Sequence, residues 1–157
     1  MKHLYVTALI ALFLTSPLAP DTAFAQDALP ETEAVPEEPT PLIQNAGDTE
    51  LSEFKWAARV LVVFADSPLD PSYSDQIALL EDRPDALLER DVVVLTDTDP
   101  AARSPIRTAL RPRGFALVVV DKDGRVMLRK PAPWNVREIT RAIDKTPLRQ
   151  QELESGR

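Results

Sequence analysis

The sequence contains no cysteine, and its only histidine is His3. Without a thiol there is no disulfide, no cysteine nucleophile and no acceptor for acylation as a bacterial lipoprotein. His3 falls in a segment that reads as a cleaved leader, so the mature chain has no imidazole either. A Ser-His-Asp triad, a usual zinc site and a haem ligand set are thereby excluded. Long apolar runs are also scarce. The longest, residues 4–14, is well short of the roughly 20 residues that a membrane-spanning helix needs. No internal repeat is present, and no basic excess marks a nucleic-acid surface.

What is present begins with "MKHLYVTALIALFLTSPLAPDTAFAQ". Lys2 and His3 form a basic n-region, residues 4–14 an apolar h-region, and Ala23 and Ala25 a small-residue site. This layout predicts a secretory signal peptide over residues 1–25, and hence a periplasmic or secreted protein with no membrane anchor after cleavage. Residues 26–53 hold eight acids, four prolines and no basic residue, a composition that predicts an acidic, Pro-rich, disordered linker. Residues 54–157 carry 17 of the chain's 18 Lys+Arg and 16 of its 25 Asp+Glu. A nearly neutral domain of this size can bury one core without disulfides. Its acidic tether disfavours nucleic acid and anionic membranes.

Within that domain, "RVLVVFA" is a continuous apolar run rich in β-branched residues, as expected of a central strand covered on both faces. Asp70-Pro71 has the form of an N-cap with proline at the first helical position, followed by Tyr73, Ile77 and Leu80 at helical spacing. Pro84 predicts a kink or an interruption, with Leu87 and Leu88 continuing the buried side. "DVVVLTD" is a second buried strand, parallel to the first because a helix intervenes. Ser104-Pro105 opens a short helix with Ile106 and Leu110 inward and Arg107 and Arg111 outward. "FALVVVDKDGRVMLRK" reads as a hairpin with Gly124 in the left-handed position. Asn135 and Glu138 have capping-box spacing, Trp134 and Ile139 that of a hydrophobic staple, and Pro147 marks the end of the last helix. The predicted order is β-α-β-α-β-β-α, a four-stranded mixed α/β sheet with helices on both faces.

These elements resemble a thioredoxin-like fold. The resemblance would place the redox cysteine pair within "DSPLDP", residues 66–71, and the cis-proline at Ala116, so both parts of that apparatus are missing. A closer resemblance rests on "FKWAARVLVVFA", "LLERDVVVL", "KDGRVMLRK" and "AIDKTPLRQQE", with Ile143, Asp144, Pro147, Arg149 and Glu152 matching a closing motif. These segments resemble a cysteine-poor thioredoxin-like family of unknown function. Its members occur in exported bacterial proteins and in sushi-repeat and other animal extracellular-matrix proteins. The family implies no catalytic residues.

Other patterns carry little chemistry. Ser52 and Lys55 have S-x-x-K spacing at the edge of the fold, where a chance match is expected. Asp66, Asp97 and Asp99 lie near the carboxyl ends of parallel strands, where carboxylates could act as acid and base or hold a cation. The preferred reading is that Asp99 caps a helix and that Asp66 and Asp97 finish strands in water. Asp121 and Asp123 fit a hairpin turn better than a calcium loop, and Trp56 and Trp134 fit core or staple positions. Arg90 with Asp91, and Asp144 with Arg149, are candidate ion pairs.

The expected function is an exported, non-catalytic binding or assembly module of the cell envelope that needs no cofactor. The alternative is a carboxylate- or metal-dependent enzyme. The expected partner is an envelope or extracellular protein or peptide. In this fold the first long helix begins beside the loop entering the third strand, which sets Ser67, Leu69 and Tyr73 against Arg111, Arg113 and Phe115 as the candidate binding residues.

Overall fold

A computed structural model describes residues 42–156. The predicted signal peptide and the linker as far as residue 41 lie outside the described residues. The strands are β1 (Ile43–Asn45), β2 (Arg59–Phe64), β3 (Val92–Asp97), β4 (Ala116–Val120) and β5 (Val126–Lys130). The helices are α1 (Pro71–Glu81), α2 (Pro84–Leu88), α3 (Pro105–Leu110), α4 (Val136–Asp144) and α5 (Pro147–Glu154). Strand order is β1-β3-β2-β4-β5, with β1, β3 and β2 parallel to one another and β4 antiparallel to both of its neighbours, β2 and β5.

The sheet therefore has five strands where four were expected. The additional strand, β1, falls in the stretch assigned to the disordered linker. Backbone bonds anchor it, Val94 N–H donating to Leu42 C=O at 3.0 Å and Ala46 N–H to Thr96 C=O at 2.8 Å, while Leu42 and Ile43 pack on one core and Ala46 is buried in the other. Of the two outcomes expected at Pro84 the helix is interrupted, and one further helix was not foreseen as a separate element. Pro84 divides α2 from α1, and Pro147 opens α5, behind Thr146, whose hydroxyl accepts from Arg149 N–H.

Alternation along β2 builds a core on each face of the sheet. Leu61 and Val63 pack with Leu80, Leu87, Val136, Ile139 and Ile143, so α1, α2 and α4 cover one face. Val60, Val62 and Phe64 pack with Ile106 and Leu110 of α3 on the other. Trp134 lies against the first cluster, as its staple position requires.

A buried glutamine ties α1 to the entry of α4. Gln76 Nε2 donates to Trp134 C=O at 3.0 Å, and its Oε1 accepts from Trp134 N–H at 2.8 Å. Gln76→Ala strands both backbone groups, and urea unfolding is expected to show a loss of about 1–3 kcal/mol. A loss below about 0.5 kcal/mol would mean that the clamp contributes nothing net.

Candidate functional site

The carboxyl ends of β2 and β3 are where this architecture leaves room for a ligand. Here that space is filled by a closed ion pair. Asp97 is buried and accepts from Arg107 at 2.8 Å, from Ser104 Oγ at 2.5 Å and from Asp99 N–H at 3.2 Å. Burial alone would raise the Asp97 carboxyl, but the hydrogen bonds from Arg107 and Ser104 outweigh it and hold it below its ordinary value. The Arg107 guanidinium also bonds Ala65 C=O at 2.8 Å and lies 5.4 Å from the centre of the Phe64 ring. The outward placement expected of Arg107 is thus wrong: its side chain folds back over Phe64 and is only 11% exposed.

Asp99 caps the following turn through Ala101 N–H at 2.9 Å. Asp66 remains exposed, 3.8 Å from Arg107. No group of three or more His, Cys, Asp or Glu among the described residues is placed to hold a metal ion. With Asp97 neutralised and Asp99 used as a cap, no carboxylate pair is free for acid–base work at this end.

The candidate binding residues divide into two groups. Phe64 pairs with Ala116 across β2 and β4, so the chains beyond them leave the sheet side by side. A Cβ added to Gly114 would lie 3.9 Å from Asp66 Oδ2. The loops are therefore adjacent, as expected. Arg111, Arg113 and Phe115 line one groove of about 430 Å³, together with Arg129 and Lys130. Ser67, Leu69 and Tyr73 do not line it. Ser67 Oγ accepts from Leu69 N–H at 3.1 Å, Leu69 is 87% exposed, and Tyr73 packs on the core.

The start of α1 offers less to an anion than the sequence suggested. Asp70 Oδ1 already accepts from Ser72 N–H at 2.8 Å and Tyr73 N–H at 3.4 Å. Attraction must come from the other group. Arg111 closes α3 in a left-handed conformation with φ 48°, which turns the chain sharply and leaves its side chain exposed. Arg129 caps the same helix by donating to Leu110 C=O at 2.8 Å, and Lys130 Nζ sits 4.1 Å from the centre of the Trp134 ring. Arg129 and Lys130 were missed in the sequence. The hairpin register, Leu117 with Lys130 and Val118 with Arg129, is what brings them to this groove.

Of the two ion pairs expected elsewhere in the domain, one forms and one is replaced. Arg90 pairs with Asp144 at 2.8 Å, whereas Asp91 pairs with Lys122 at 2.7 Å. Arg149 pairs with Asp144 at 3.9 Å, as expected, and also meets Glu152 at 3.1 Å. Asp121 and Asp123 bond the N–H groups of Lys122 and Arg125, as a turn requires. Ser52 Oγ donates to Glu50 at 3.0 Å, so its S-x-x-K spacing has no catalytic geometry.

Residues 50–152 match the model of a domain of unknown function, DUF4174. No curated protein matches the chain. Among solved structures, desulfothioredoxin from Desulfovibrio vulgaris Hildenborough is 18% identical with a TM-score of 0.50, over 66% of this chain and 96% of that one. The 2-Cys peroxiredoxin of Plasmodium vivax is 21% identical with a TM-score of 0.48, over 66% and 84%. The fold is thioredoxin-like, and the chain carries no cysteine to perform the chemistry of a thiol.

Proposed function

We propose that this chain, which belongs to the DUF4174 family, is an exported thioredoxin-like module that binds an acidic, extended segment of an envelope or extracellular protein. One observation carries the reading. Arg111, Arg113, Arg129 and Lys130 gather around one groove, and none makes an ion pair with a carboxylate among the described residues. Phe115, Leu110 and Pro112 supply apolar walls. Arginine beside aromatic and aliphatic surface is the composition of an interface core. Export is supported by the leader-like N-terminus. No helix among the described residues is long and apolar enough to cross a membrane.

The test is fluorescence anisotropy with a labelled extended nonapeptide of alternating Glu and Leu and its Gln-for-Glu counterpart. Arg111→Ala and Arg113→Ala are each expected to weaken the acidic peptide roughly fivefold, or about 1 kcal/mol, without shifting the melting temperature. Affinity should also fall as salt is raised. Equal binding of both peptides, or unchanged affinity in both variants, would refute the reading.

A further inference from the structure

Trp56 stands where the backbone suits glycine. Its φ is 66°, in the left-handed region that bulky side chains avoid, and its N–H is fixed there by donation to Lys122 C=O at 2.7 Å. The expectation that it belongs to the core is wrong, for it is 64% exposed. An indole held in a disfavoured conformation and left in water contributes little to folding.

It does form the wall of a second groove, of about 550 Å³. This groove lies at the opposite end of β4 from the cationic one, beside Lys122 and the last turn of α5. Its charges are already matched. Lys122 Nζ meets Asp91 at 2.7 Å and Glu152 at 2.9 Å. An ionic ligand therefore finds no unbalanced partner. The lining itself holds two carboxylates and one ammonium, and Glu152 is further balanced by Arg59 and Arg149, each at 3.1 Å, so what remains to meet a ligand is polar with its charges paired. Asp91 keeps exposed acceptor oxygens, and the Gln151 amide has no side-chain bond among the described residues. Ser155 Oγ donates to Gln151 C=O at 2.7 Å and retains its acceptor lone pairs.

An apolar platform ringed by donors and acceptors, with its charges already paired, matches one ligand chemistry: a neutral ring bearing many hydroxyls on its rim and C–H groups on its face. We propose that the Trp56 groove binds neutral pyranosides, with the sugar face on the indole and its hydroxyls bonded to Asp91, Gln151 and Ser155. The site is separate from the cationic groove and does not depend on that groove's function.

The test uses the full chain on a glycan array carrying neutral hexose and N-acetylhexosamine oligosaccharides beside sialylated and sulfated ones. Trp56→Gly, Gln151→Ala and Arg113→Ala are compared with the parent, each with a thermal melt. Neutral glycans should be retained by the parent and by Arg113→Ala. Retention should drop at least tenfold in Trp56→Gly and severalfold in Gln151→Ala. Glycine relieves the left-handed strain, so Trp56→Gly should melt at or above the parent temperature. The proposal fails if no neutral glycan is retained, if only charged glycans are, or if Trp56→Gly binds like the parent. It also fails if that variant melts well below the parent, because the indole would then serve the fold.

Discussion

Arg59→Ala is expected to destabilise the domain by about 3–5 kcal/mol, enough to lower its melting temperature by on the order of 20 °C. Arg59 opens β2 and is 0% exposed. Its Nε lies 2.9 Å from Asp121 Oδ1, and Nη1 and Nη2 each lie 3.1 Å from an oxygen of Glu152. Nη1 also donates to Arg90 C=O at 2.9 Å. The guanidinium thus joins β2, the β4–β5 turn and α5. Truncation leaves Asp121 buried beside a cavity with no counter-charge, and that residual charge accounts for most of the loss. The pair itself is a poor stabiliser, since both partners had to leave water. Arg59→Leu combined with Asp121→Leu, with Glu152 left paired to Lys122 and Arg149, should therefore recover much of the stability that Arg59→Ala loses. Urea unfolding of both variants measures this. A loss under about 1 kcal/mol for Arg59→Ala would mean that the contacts act like surface ion pairs.

The residues that were legible in the sequence are those whose burial follows a period. The β2 run, the β3 run, the N-caps Asp70, Ser104 and Asn135, and left-handed Gly124 all declare themselves locally. Those that were not legible depend on long-range register or on the reach of a long side chain. Leu42 and Ile43 sit in a stretch acidic enough to mask a three-residue edge strand. Arg107 points outward by helical spacing, yet its side chain is long enough to return to Asp97. Arg59 reads as the polar end of an apolar strand, because its partner Glu152 is 93 residues away. The closing motif was legible only through family resemblance. Its reason is ionic: Asp144 receives Arg90 through both oxygens, and Glu152 receives Arg59, Lys122 and Arg149. The candidate surface divides along the same line. Arg111, Arg113 and Phe115 fall within five residues of one loop and could be read directly, whereas Arg129 and Lys130 reach them only through the hairpin register.

Acidification should remove a defined part of this stability. Burial alone would raise the Glu152 carboxyl, but hydrogen bonds from Arg59, Lys122 and Arg149 reverse the effect and hold it down to about 2, against an ordinary value of 4.5. A carboxyl whose pKa is depressed by folding stabilises the native state above its unfolded value. The contribution disappears as pH falls through the folded one. Between about pH 5 and pH 2 the domain should therefore lose on the order of 3 kcal/mol from Glu152. Asp97, also held low, adds to the loss in the same direction. Lys122 is raised instead, because its bonds to Asp91 and Glu152 outweigh burial, so its contribution is complete below pH 10.5 and fails only in strong alkali. Neutral pH lies on the plateau between the two. Urea unfolding free energies at pH 7, 4 and 2.5 measure the acid limb, with Glu152→Gln as the comparison. The variant should begin less stable at pH 7, because Arg59, Lys122 and Arg149 lose their shared counter-charge. Its acid limb should be flatter by the Glu152 share, so that parent and variant converge near pH 2. Parallel limbs would show that other carboxylates carry the acid response and that the Glu152 cluster is not where protonation opens the fold.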